Sequence, residues 1–164
     1  MKKVAIFMSI LLFSLVLSSC HGQSYGILSY QEGDIYAECS LNGEYKLAVS
    51  KKEGVRSLQF LYPEELSSVS FIETDGKIIG RAGEVEIPFD SDNLSGVSAI
   101  LAMFSLEESS LASATPDKSS ACMEFNNTLG TYKITIGEND LPKRIEIFSD
   151  KYEFDIVIEA IKLN

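Results

Sequence analysis

The chain predicts an α+β fold: a strongly curved antiparallel β-sheet, a half-barrel meander, with one main apolar helix on its concave side. Apolar and polar residues alternate through most of residues 34–164, the period of half-buried strands. Asn42-Gly43 and Asp75-Gly76 sit between such runs, and these pairs accept the positive φ angles of a tight hairpin. Only residues 95–111 change to a helical period. About eight to ten strands sharing one apolar face must bury it, and one helix covers that face only if the sheet curls around it. A closed barrel with the helix at its mouth is the alternative.

The first strand spans residues 34–41 and turns at Asn42-Gly43 into residues 44–50, where Tyr45, Leu47 and Val49 share a face. Residues 55–62 follow, with Leu58, Phe60 and Tyr62 aligned, until Pro63-Glu64-Glu65 breaks the run. Residues 69–74 and 77–82 flank Asp75-Gly76, and residues 84–88 add a short alternating piece. Within 95–111, Val97, Ile100, Leu101 and Phe104 recur at the spacing of one helix face, widened by Ala99, Ala102, Met103 and Leu106, so the helix is largely buried. Asp92, Asn93 and Ser95 offer capping oxygens at its start. Residues 113–120 read as a surface connection, and strands return at 121–125, 130–136, 144–148 and 152–163. Short connections make successive strands neighbours.

The N-terminus carries an address. Lys2 and Lys3 precede an apolar run from Val4 to Leu17 that is shorter than the roughly 20 residues of a membrane helix, and the run ends at Leu17-Ser18-Ser19-Cys20. This resembles the bacterial lipobox. The resemblance implies a signal peptide over residues 1–19, lipid attachment at Cys20, a tether over 20–33, and a cell-membrane location on the extracytoplasmic face. Two or three acyl chains hold far more firmly than one, whose binding is marginal at about 0.8 kcal/mol per buried CH₂.

Removing residues 1–19 takes two lysines, so the remaining side chains carry 12 basic against 24 acidic groups, a net −12. That sign repels nucleic acid and anionic headgroups. The 145 residues left suit one domain, over 34–164. With Cys20 acylated, Cys39 and Cys122 could pair outside the cytoplasm. However, Cys39 alternates in phase with Ile35, Ala37 and Leu41, while Cys122 alternates with Glu124 and Asn126, which puts them on different faces. Their redox state stays open.

The order of elements resembles the lipoprotein-carrier fold of the LolA and LolB localisation factors and the LppX-type lipoproteins. The likeness rests on Phe60-Leu61-Tyr62-Pro63-Glu64, the Asp75-Gly76 hairpin, the central helix, and Leu141-Pro142-Lys143-Arg144-Ile145. The layout is also similar to small lipoproteins of clostridia-like bacteria. The resemblance implies a hydrophobic cavity between concave sheet and helix that holds an acyl chain or another apolar ligand. It transfers no catalytic residue.

Chemistry is sparse. The single histidine, His21, lies on the tether, so histidine-based catalysis is excluded from the domain. Neither remaining cysteine has C-x-x-C spacing, and no Gly-rich phosphate loop is present. Asp90-Ser91-Asp92-Asn93 fails as a calcium loop, because Leu101 stands where a bidentate carboxylate is required. No enzyme, metal or cofactor is expected. Val97, Ile100, Leu101 and Phe104 are the candidate ligand-binding residues. A filled core and an occupied pocket ask for the same residue types, so both readings stand. The functional expectation is an anchored holder of an apolar ligand, with an envelope protein-interaction or sensing module as the alternative.

Overall fold

The computed structural model describes residues 30–116 and 121–164; the signal segment, Cys20 and most of the tether lie outside the described residues. Eleven antiparallel strands form one open sheet. β1 (Ile35–Leu41) to β6 (Val85–Asp90) run through β2 (Tyr45–Lys52), β3 (Val55–Tyr62), β4 (Val69–Thr74) and β5 (Lys77–Ala82). After the helix α1 (Ser95–Ala102) come β7 (Leu111–Pro116), β8 (Ala121–Asn127), β9 (Gly130–Ile136), β10 (Pro142–Phe148) and β11 (Glu153–Leu163).

The spatial order is β6-β5-β4-β3-β2-β1-β11-β10-β9-β8-β7. Two meanders therefore meet at β1 and β11, and residues 91–110 run from one edge of the sheet to the other. This strap includes α1. The edges β6 and β7 do not pair, so the sheet is not a closed barrel.

Curvature follows from what the strap touches. It packs on β3, and it receives a hydrogen bond from Tyr132 of β9. Five strand steps separate β3 from β9. Flat, they would stand about 24 Å apart, more than the roughly 10–12 Å width of a helix. The sheet must curl for one helix to reach both. Register shifts at Glu38/Cys39, Lys46/Leu47, Leu111/Ser113 and Pro142/Arg144 supply bulges that bend strands and add twist. Hairpin chemistry is as the sequence predicts: Asn42 and Gly43 have φ of 52° and 70°, and Asp75 and Gly76 have 51° and 74°.

The alternation sorts the faces. Ile35, Ala37, Cys39 and Leu41 face Leu47 and Val49 across β2 and Ile156, Ile158 and Ile161 across β11; all are buried except Ile158 and Ile161, which are half-buried. Met123, Phe125, Tyr132, Ile134, Ile145 and Ile147 continue this core through β8 to β10. Burying each such side chain is worth about 1.5–3 kcal/mol. Cys39 is buried on the concave side, whereas Cys122 is exposed among the outward residues of β8; both thiols are free.

Two expectations are corrected. The helical period of 95–111 yields an α-helix only at Ser95–Ala102, preceded by a 3₁₀ turn at Ser91–Leu94. The N–H groups of Met103 and Ser105 donate to the carbonyls of Ile100 and Ala102, three residues back, which tightens and ends the helix. Met103, Phe104 and Leu106 are buried all the same, so the apolar period reports burial beyond the helix. Leu94 stands at the cap, with no side-chain capping bond. Of the expected surface connection 113–120, residues up to Pro116 belong to strand β7, held by its ladder with β8; residues 117–120 are outside the described residues.

Candidate functional site

The four residues of the predicted stripe meet the concave sheet from above. Ile100, Leu101 and Phe104 retain 4%, 1% and 1% of their surface, and Val97 packs half-buried at the margin of the same core. Side chains so enclosed leave no room beside them for an acyl chain in this conformation. Phe104 meets Tyr30 edge to face, with centroids 6.4 Å apart. Tyr30 and its neighbour Gln31 are themselves buried.

Two contacts seat the strap. The Tyr132 hydroxyl donates to the Ala99 carbonyl at 3.2 Å, both groups buried. Gly96 lies against the stacked Tyr152 and Phe154 rings, and a Cβ there would come within 3.1 Å of Phe154. Burial pushes the Tyr132 phenol well up from its ordinary value, and the side chain of Asn127, with a smaller effect from the charge of Arg56, pulls it part of the way back.

The strap does not cover the whole concave face. Three rows of side chains cross from β3 to β6 on that side. Nearest the strap are Arg56, Glu73, Ile78 and Phe89; next come Leu58, Phe71, Gly80 and Ile87; then Val69, Ala82 and Val85. Exposure grows along them. Leu58 and Ile78 are buried, Phe71, Phe89 and Val69 are half-buried, and Ile87 and Val85 keep 48% and 58% of their surface. This is an apolar shelf continuous with the core, and contiguous exposed apolar surface of this kind marks a binding site more often than chance. At its centre Gly80 makes room for two aromatic rings, since a Cβ there would stand 2.8 Å from Phe89 and 3.3 Å from Phe71.

At the inner end of the shelf lies an ion pair. Arg56 Nη2 donates to Glu73 Oε1 at 2.5 Å, and Glu73 is 6% exposed. Its second oxygen, Oε2, is fully enclosed and has no hydrogen-bond partner among the described residues. A buried acceptor left so costs about 1–3 kcal/mol. Glu73 does not stand out in the sequence, where carboxylates are common along the strands; its phase with Phe71 is the one signal that it faces inward.

Two hollows open elsewhere. One of about 580 Å³ lies where the β10 and β11 ladder ends at Arg144 and Val157, with Ile136, Leu141, Pro142, Ile158 and Ile161 among its walls and Glu159 tied to Lys46 at 3.0 Å. It is a gap at the seam between strands. The other, of about 470 Å³, is a polar hollow between the loops at 126–131 and 148–152. Among the described residues no three His, Cys, Asp or Glu side chains gather as metal ligands, and no helix is long and apolar enough to cross a membrane.

No family model and no curated protein matches the chain. Among solved structures it is similar to an uncharacterized conserved protein from Thermus thermophilus, at 14% identity and a TM-score of 0.49, covering 84% of this chain and 85% of that one. It is also similar to a LolA superfamily protein from Nitrosomonas europaea, at 9% identity and a TM-score of 0.46, covering 85% and 92%.

Proposed function

We propose that this chain is a lipoprotein anchored through Cys20 to the outer face of the cell membrane, where it holds a hydrophobic ligand such as a lipid or acyl chain without catalysing a reaction. The observation that supports this reading best is the uncovered part of the concave face. A sheet that buries much of that face under a strap leaves Ile87 and Val85 48% and 58% exposed beside Phe71 and Val69. Exposing those side chains forgoes about 25 cal/mol for each Å² of apolar surface, a loss that a bound chain would recover. The stripe Val97, Ile100, Leu101 and Phe104 then walls the site from the inner side, and a ligand longer than the shelf reaches it only by lifting the strap.

Native mass spectrometry and solvent extraction of the full-length protein from a bacterial membrane test this. The proposal expects a co-purifying lipid, a lipidated N-terminus at Cys20, and loss of membrane retention in Cys20→Ala. Protein that is acylated but carries no ligand overturns the holder reading and leaves the anchor standing. In that event an envelope partner is the better reading, for which the exposed edge strand β7 offers five residues, 111–115, without a charge.

A further inference from the structure

We propose that the free oxygen of Glu73 reads the head group of the ligand, and that the ligand is a neutral single-chain amphiphile whose hydroxyl donates to it; this rests on the holder reading above. Glu73 is a carboxylate buried to 6% exposure, its Oε1 is satisfied by Arg56 at 2.5 Å, and its Oε2 has no donor among the described residues. Buried acceptors are nearly always partnered, so one standing empty beside an apolar shelf points to a group that comes and goes. The chemistry of that group follows from its surroundings. Arg56 already balances the charge of Glu73, so the site asks for a donor and not for a further cation. An anionic head group would bring its own charge against Oε2.

Register sets the length. From the outer row at Val69 and Val85 to Glu73 is four residues along β4, about 13–14 Å at the rise of an antiparallel strand. That suits a chain of about dodecyl length lying over Ala82, Ile87 and Phe71. Both the Phe71 and Phe89 rings come up against Gly80, so the hydroxyl reaches the enclosed Oε2 only as these rings move aside.

The test offers full-length, delipidated protein in amphipol an equimolar mixture of dodecanol, dodecyl methyl ether and dodecanoate, removes unbound probe by gel filtration, and quantifies what remains by mass spectrometry. Dodecanol retained about tenfold over the ether, the worth of one hydrogen bond to a charged acceptor, and over dodecanoate, is the expected result. The double variant Arg56→Met/Glu73→Leu, which removes both charges together, should bring the alcohol-to-ether ratio close to one. Equal retention of alcohol and ether by the natural protein overturns the head-group assignment and leaves the holder reading intact, as does a preference that survives in the double variant. Preferred retention of dodecanoate would make Arg56 the reader and overturns it too. Retention of none of the three overturns both proposals.

Discussion

Replacing Tyr132 by Phe tests how the strap is held. The substitution keeps the ring in the core and deletes only the hydroxyl that donates to Ala99 at 3.2 Å. A hydrogen bond between neutral groups contributes about 0.5–1.5 kcal/mol net, and stranding the buried carbonyl of Ala99 adds a desolvation cost, so the expected loss is about 2 kcal/mol. At this domain size that lowers Tm by roughly 6–10 °C. Urea unfolding of the two proteins measures it directly, with an unchanged m-value expected because the folded surface is the same. Tyr62→Phe is the control: that ring is 57% exposed, and its change should stay within about 0.5 kcal/mol. A Tyr132→Phe variant within about 0.3 kcal/mol of the parent would refute the reasoning, since the strap would then be seated by apolar packing alone.

Three further outcomes are expected. Native protein should label with a thiol reagent at Cys122, which is exposed, and not at Cys39, which is 1% exposed and whose thiol burial pushes up to about 12, with Glu159 and Glu38 adding to the shift; Cys39 should react only on unfolding, as read by mass spectrometry. Stability should be flat through neutrality and fall above about pH 9. The raised groups, Cys39, Tyr30 and Tyr132, hold their protons in the folded state when the unfolded chain has begun to release them, so their contribution is complete below the unfolded values and disappears as pH rises toward the folded ones. The slope is at most about 1.4 kcal/mol per pH unit for each group, and urea midpoints from pH 7 to 11 check it. Arg56→Met alone should cost about 3–5 kcal/mol by leaving Glu73 charged and unpaired, while the double change Arg56→Met/Glu73→Leu should recover most of that loss in the same unfolding assay.

The strands were legible because their cause is local. Ten of the eleven follow from alternation and turn chemistry, with Asn42-Gly43 and Asp75-Gly76 placing their hairpins to the residue. β7 was not legible. Leu-Ala-Ser-Ala-Thr has little β-branched content and no apolar alternation, and an edge strand exposed at every one of these positions but Ala114 shows no burial period; its pairing with β8 makes it a strand. The helix was overextended for the converse reason. Phe104 and Leu106 are buried by the strap's path across the sheet, and burial mimics helical spacing after the helix has ended. The curl of the sheet was legible from the shortage of helices, whereas the junction of β1 with β11 was not, because no local signal marks a pairing between the two ends of a domain. The stripe Val97, Ile100, Leu101 and Phe104 was legible as buried residues. The shelf was less so, since an alternating strand shows which residues share a face but not how much of that face the rest of the chain covers.

The most direct measurement is the lipid content of full-length protein purified from a bacterial membrane, compared among the natural protein, Ile87→Lys and Ile161→Lys. Ile87 lies on the shelf at 48% exposure, so a lysine there blocks the site without disturbing the core, and Ile161 lines the seam hollow instead. One bound species is expected in the natural protein, retained in Ile161→Lys and lost in Ile87→Lys. Equal lipid in all three proteins, or loss only in Ile161→Lys, would contradict this expectation.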